Sequence, residues 1–156
     1  MIDARQVLRA NRLFKNFGDN GIVIVGSICE PRRYPPGSPI FVAKQPAESM
    51  FIIERGEVQI ELQVGSDCRP LGRLGVGDHL GQLALLCQGE RQVSAVAVTE
   101  CSALEIGRRN FLKLQAVKPQ ACLKLMLAIW EDYLEAARAA VPALQRLLIA
   151  RQARPG

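Results

Sequence analysis

Between Gly75 and Arg91 the chain sets glycines, a short apolar turn and one arginine in the order that an anion site requires. The run is Gly75-Val76-Gly77-Asp78-His79-Leu80-Gly81-Gln82-Leu83-Ala84-Leu85-Leu86, followed by Gly89-Glu90-Arg91. Gly81 lets the backbone come close to a ligand. Leu83 to Cys87 reads as one or two helical turns, whose first N–H groups have no intrahelical partner and point at whatever sits before them. Arg91 is the only Lys or Arg between Arg73 and Arg108. A cation alone in an apolar run needs a counter-charge, because an unpaired buried charge is very costly. The chemistry on offer is the binding of an anion such as phosphate. Catalytic chemistry is not. His79 is the single histidine and no partner set surrounds it, so it reads as a packed or rim residue rather than a base. Ser49, Ser66, Ser94 and Ser102 lie in no nucleophile motif, and neither a Gly-x-x-x-x-Gly-Lys-Ser/Thr loop nor a His-Glu-x-x-His pair occurs.

The elements around this stretch are mostly β. From Cys29 to Arg108 strand-like runs fall at Pro39–Ala43, Met50–Ile53, Glu57–Val64, Arg69–Leu74, Gln92–Val98 and Ser102–Ile106. Turn residues separate them, which indicates a sandwich or barrel. The alternation Val58-Gln59-Ile60-Glu61-Leu62 gives one buried and one wet face. An eight-stranded double-sheet jelly roll is the expected closure, with the turn after Gly81 as its helical interruption. Ala4–Asn16 reads as a helix, with Arg5, Arg9, Arg12 and Lys15 on a solvated side and Val7, Leu8, Leu13 and Phe14 opposite. Arg109–Leu114 reads as a short helix ending before Pro119. A longer one starts there with Pro in its first turn. It carries Leu123, Trp130, Ala137 and Leu144 at seven-residue intervals, with further apolar residues midway. Pro142 is expected to kink or interrupt it after about Ala139. The cations Arg138, Arg146, Arg151 and Arg154 suit a helix C-terminus.

The segment Gly81-Gln82-Leu83-Ala84 with Arg91-Gln92-Val93 resembles the phosphate-binding cassette of cyclic-nucleotide-binding domains. That family has Gly-Glu-Leu-Ala, a short helix, then arginine followed by small residues. Tyr34-Pro35-Pro36-Gly37 with Ile40-Phe41, and Ala47 to Val58 around Ile52-Ile53-Glu54-Arg55-Gly56, are similar to the family's first turn and central strand pair. The likeness runs from about Leu13 to Leu114. It implies a short helix over Ile22–Ile28, capped by Asp19 or Asn20, although the β-branched Ile-Val-Ile-Val run favours a strand by propensity. The implied organisation is one domain over 1–156. It has an N-terminal helical part (1–28), a β-roll (29–107) holding the cassette (81–93), and C-terminal helices (108–153).

The resemblance also implies roles. Arg91 neutralises the phosphate of cAMP or cGMP, and the Leu83 and Ala84 amides donate to it. Gln92 touches phosphate or base. Leu71 and Val93 line the sugar and base pocket, and Trp130 or Tyr133 closes it from the long helix. Two residues depart from the family. Gln82 stands where a glutamate accepts the ribose 2′-hydroxyl, so charge assistance is lost at a cost of about 1 kcal/mol. Gln92-Val93 is bulkier than the usual small pair. Two functions follow. One is a sensor that shows a protein effector a changed long helix. The other is a degenerate interaction module without nucleotide, in which Arg91 pairs with Glu90 or another carboxylate.

Composition narrows the classes. A chain of 156 residues with 49% hydrophobic and 5% aromatic content makes one domain with an aliphatic core. No apolar run reaches membrane-spanning length, and the N-terminus with Asp3 and Arg5 has no secretory core. Cys29, Cys68, Cys87, Cys101 and Cys122 form no Cys-x-x-Cys pair and are odd in number. Free thiols in a reducing cytoplasm are expected, with no metal and no cofactor. The net charge of +5 is spread along the chain. After Pro142 only Ala143 to Gly156 remain, too few for the helix-turn-helix that follows the long helix in regulators of the catabolite-activator type. DNA is therefore not an expected partner. A homodimer through the helix over 119–150 is.

Overall fold

The structure, a computed structural model, describes residues 2–153. Two short helices, α1 (Ala4–Ala10) and α2 (Asp19–Gly26), precede the strands. These are β1 (Cys29–Tyr34), β2 (Pro39–Phe41), β3 (Ser49–Arg55), β4 (Val58–Val64), β5 (Asp67–Leu74) and β6 (His79–Leu80). After α3 (Leu83–Leu86) come β7 (Ser94–Ala97) and β8 (Cys101–Gly107), then α4 (Arg108–Val117) and α5 (Pro119–Gln152). The strands form two four-stranded antiparallel sheets, ordered β1-β8-β3-β6 and β2-β7-β4-β5. This is the expected eight-stranded double-sheet roll with flanking helices.

The sheet containing β3 is covered on both faces, which explains its unbroken apolar run. Phe51 and Ile53 point into the roll with Phe41, Val58, Leu80 and Ala95. Met50 and Ile52 point the other way, onto Leu8, Phe14, Val25, Phe111, Leu125 and Ile129 of the helices. Burying each such side chain contributes about 1.5–3 kcal/mol. The two cores therefore share one sheet, and the helices are fixed to the roll by its outer face.

Four expectations are corrected. The first helix stops at Ala10, because Asn11 leaves helical geometry (ψ 135°) and its Oδ1 accepts from the Leu13 N–H. A single 3-10 turn, Arg12–Phe14, follows. The helix over 22–28 is present as α2, but Gly18 is its N-cap and no side chain caps it. Asp19 instead pairs with Arg9 from the first turn. Burial of Ile22 and Val25 outweighs the strand propensity of that run. Of the kink or interruption expected at Pro142, the interruption is absent, since α5 is helical for 34 residues. The carbonyl that Pro142 leaves without a donor lies in a fully exposed stretch, where water can satisfy it. Two strands, β1 and β6, lie outside the runs read from sequence. The Arg154 expectation lies outside the described residues.

Candidate functional site

Gly81 directly follows β6 and has φ 72°, a left-handed backbone that side-chain-bearing residues rarely adopt. A Cβ there would fall on the Arg91 guanidinium and 3.1 Å from the Ser49 carbonyl oxygen. Glycine is thus required twice, for its backbone angle and for the closeness of Arg91. Gln82 occupies the N-cap position of α3 in helical geometry. The Ala84 N–H already donates to Gly81 O (3.1 Å) and the Leu85 N–H to Gln82 O (3.2 Å). Ala84 is therefore not a free donor in this state. The Gln82 and Leu83 amides take no protein acceptor among the described residues.

Arg91 is held by its own backbone. Its N–H donates to Gln45 O (2.8 Å), and its carbonyl accepts from the Lys44 N–H (2.7 Å). Lys44, whose N–H makes that bond, is the one non-glycine residue with positive φ (68°) among those described. The side chain is only 8% exposed. Nη2 donates to Ser49 O (2.6 Å) and Nη1 more weakly to Gly81 O (3.4 Å). The guanidinium carbon lies 4.1 Å from the Phe41 ring centroid, a cation–π contact. Nε is buried without a partner. No carboxylate reaches Arg91 within 4 Å among the described residues. Burial lowers its pKa, with Glu105 and Glu48 opposing from a distance. An arginine nonetheless stays charged. The expected alternative pairing with Glu90 is absent: Glu90 is exposed, and its carbonyl accepts from Gln92 Nε2 (3.3 Å).

Beside Arg91 opens a cavity of about 280 Å³. Gly81, Gln82, Leu83, Ala84 and Arg91 form one wall. Phe41, Ile60, Leu74 and Val93 form the apolar wall, Glu90 and Gln92 the rim, and Tyr133 of α5 the far side. The structure thus brings together every expected site residue except two. Leu71 is 60% exposed and does not line the cavity. It is the extra residue of a bulge, since Ile60 pairs with Gly72 and Glu61 with Pro70. Leu74 takes the place expected of it. Trp130 is 57% exposed and also off the cavity, so of the two lid candidates only Tyr133 faces it. Phe41, Ile60 and the Ser49 carbonyl were missed by sequence reasoning. The alternation of β4 carried a signal for Ile60 alone.

His79 also lines the cavity and, 5% exposed, has both ring nitrogens engaged. Asn11 Nδ2 donates to Gly77 O (2.8 Å) and lies 3.1 Å from His79 Nδ1. The Asn11 Oδ1 is taken by the Leu13 N–H, which fixes the amide orientation and makes Nδ1 the acceptor. Nε2 then carries the proton and donates to Asp132 Oδ2 (3.0 Å). Arg12 Nε donates to Asp132 Oδ1 (2.6 Å). Burial lowers the His79 pKa, partly offset by Asp132. Burial also acts to raise the Asp132 pKa, but the Arg12 and His79 hydrogen bonds outweigh it and hold the carboxyl below its usual range. Among the described residues no three His, Cys, Asp or Glu gather as a metal would need. Arranged thus, the site can hold an anion beside an apolar body.

The family profile described as "Cyclic nucleotide-binding domain" matches residues 31–117. The chain is 31% identical over 108 residues to the "Cyclic AMP receptor protein" of Thermus thermophilus, an overlap of 69% of this chain and 50% of that one. With the "cAMP-dependent protein kinase regulatory subunit" of Pyricularia oryzae it shares 31% identity over 90 residues, 58% of this chain and 23% of that one. The crystal structure of the Thermus thermophilus Catabolite Activator Protein superposes with a TM-score of 0.73 at 28% identity, covering 86% of this chain and 63% of the other. The chain spans half or less of the length of these curated relatives. It belongs to the cyclic nucleotide-binding domain family.

Proposed function

We propose that the cavity binds a cyclic nucleotide, cAMP or cGMP, and that α5 passes its occupancy to a protein effector. The observation that carries this reading is Arg91: a buried guanidinium with a spare Nε–H, no carboxylate, and an open cavity beside it. Such a charge is costly unless an anion arrives. In this reading the phosphate lies against Arg91 and the Gln82 and Leu83 amides. The sugar and base lie along Phe41, Ile60, Leu74 and Val93, under Tyr133. Gln92 touches the ligand from the rim. Gln82 accepts the ribose hydroxyl without charge assistance. No group here is placed for catalysis, so the activity is binding. The relative named a cyclic AMP receptor protein makes cAMP the first nucleotide to try. Five cysteines, all free, support a cytoplasmic setting. Among the described residues no helix is long and apolar enough to cross a membrane.

A second copy of the chain is the proposed partner of α5. Leu127, Trp130, Leu134, Ala137, Val141, Leu144 and Leu148 follow a three–four spacing, and all are exposed. That is a coiled-coil seam. The same seam favours a second reading, a dimerisation module without ligand, because it needs no nucleotide to work. Calorimetry with cAMP and cGMP, on the native chain and Arg91→Ala, separates the two. Micromolar or tighter binding that the variant abolishes supports the sensor. No heat with either nucleotide, from a chain that sediments as a dimer, supports the module.

A further inference from the structure

The ligand reading leaves one cluster unused. Asn11, Arg12, His79 and Asp132 form a connected network joining three separate parts of the chain, with Asn11 and His79 buried, Asp132 partly buried and Arg12 exposed. His79 belongs to β6 and stands two residues before Gly81, so it is rigidly continuous with the cavity's anion wall. Asp132 belongs to α5 and is the immediate neighbour of Tyr133, which lines the opposite side of the same cavity. Arg12 and Asn11 hold both from the N-terminal 3-10 turn. Arg12 also lies 3.9 Å from Asp78, in the turn before β6.

This placement is unlike that of a group present only for stability. Well-packed apolar residues would hold α5 on the sheet as firmly, because an ion pair with an exposed arginine, such as Arg12–Asp132, contributes only about 0–1 kcal/mol. What the network adds is direction. The Nε2–H of His79 has one acceptor, Asp132 Oδ2, and the Nδ1 lone pair has one donor, Asn11. A shift of β6 against α5 must therefore stretch or break a specific bond rather than slide across a greasy surface. The fully buried residues of α5, Cys122, Leu125 and Ile129, all lie N-terminal to Asp132, with Met126, Ala128 and Tyr133 packed partly buried against the same core. Beyond Tyr133 the helix is exposed.

We infer that His79 and Asp132 are positioning residues that couple the cavity to α5. A ligand that moves the Leu80–Gly81–Gln82 wall, or presses on Tyr133, acts on the His79–Asp132 bond. Through it the ligand sets how tightly the rest of α5 is held. The inference rests on the ligand-binding reading above. It assigns the transmission to a specific pair.

Hydrogen–deuterium exchange on the full chain, with and without cAMP or cGMP, reads both ends of the coupling together. In the native chain the nucleotide should slow exchange in the segment 81–91 and also in α5 around residues 126–136. In Asp132→Asn and in Asp132→Ala, the slowing over 81–91 should persist to within about twofold, while the effect on α5 falls by at least about fivefold, the lower bound of a typical coupling. Two variants guard against one that folds poorly. Native-like protection of α5 in both variants overturns the inference. So does equal loss at both segments, which makes the pair a structural support of the site. No protection anywhere in the native chain, with either nucleotide, overturns the ligand reading and the inference with it.

Discussion

Arg91→Met separates a binding arginine from a structural one more sharply than any loss of binding alone. The substitution keeps most of the side chain's length and apolar body while removing its charge. It forfeits the charged hydrogen bond to Ser49 O, worth about 1.5–3 kcal/mol. A long, weak bond to Gly81 O and about 1 kcal/mol of attraction to Phe41 go with it. Against these stand the desolvation of an unpaired guanidinium, several kcal/mol, and the buried Nε without a partner, about 1–3 kcal/mol. The opposing effects nearly cancel. Urea unfolding of the ligand-free protein should therefore shift by no more than about 1 kcal/mol at unchanged m-value. Calorimetry on the same protein should show cAMP affinity reduced at least about 100-fold, some 2.7 kcal/mol. Such a pair of results would mean that the native chain holds a charge it does not need for folding, as a site kept for a ligand would. A loss of stability above about 3 kcal/mol would refute this reasoning. It would mean that Arg91 compensates a buried group in the free protein and is there for the fold.

Three further outcomes follow from the same geometry. Restoring the carboxylate with Gln82→Glu should tighten cAMP binding about fivefold through a charge-assisted bond to the ribose hydroxyl; weaker binding in calorimetry would place that side chain against the phosphate instead. Gly81→Ala should cost about 1–2 kcal/mol in backbone strain alone, and its Cβ should displace Arg91 and weaken binding at least about tenfold. Gly89→Ala, whose Cβ meets nothing within 4 Å, is the control that should leave both unchanged. The third outcome concerns pH. Burial depresses the His79 pKa below its ordinary 6.5 despite Asp132 and Asp78, with Arg12 acting in the same direction as burial. The folded state then binds that proton less well than the unfolded one. Stability is full above pH 6.5 and falls as pH drops below it towards the folded pKa. His79→Gln should flatten this slope in urea titrations between pH 7 and 5, and an unchanged slope would assign it elsewhere.

How much of the fold is legible in the sequence depends on how local its cause is. The apolar run Met50–Ile53 and the alternation of β4 announce strands by themselves. The run is continuous because β3 has a core on each face, and only the assembled structure reveals that second face. β1 reads Cys-Glu-Pro-Arg-Arg-Tyr, which no pattern marks as a strand. It forms because β8 offers a free edge along its whole length, and an edge strand tolerates both Pro31 and charge. β6 is two residues long and owes its existence to pairing with Phe51 and Ile52. At Pro142 the expected break in the helix is absent for the opposite reason. The helix-breaking effect of proline is local, but its cost depends on whether water reaches the freed carbonyl.

The site divides along the same line. Gly81 and Arg91 are legible because their types are informative in isolation: one permits a backbone that others resist, the other carries a charge that cannot be hidden. Leu71 and Trp130 misled because apolar character says that a residue wants cover, without saying which cover. A single bulged residue turned Leu71 outward and left Leu74 on the cavity. One turn of α5 decided between Trp130 and Tyr133. His79 is the instructive case. Taken by type it reads as a packed residue, and packed it is. Its partners, however, come from Asn11, 68 positions before it, and Asp132, 53 after it, and no spacing rule spans such distances. A charged network of that reach is invisible until the chain is folded. It is also the only polar tie joining the anion wall to α5 among the described residues. If a ligand's arrival is felt along that helix, the signal must cross either this tie or the apolar contacts beside it. Apolar contacts can shift without choosing a direction, whereas a single donor facing a single acceptor cannot.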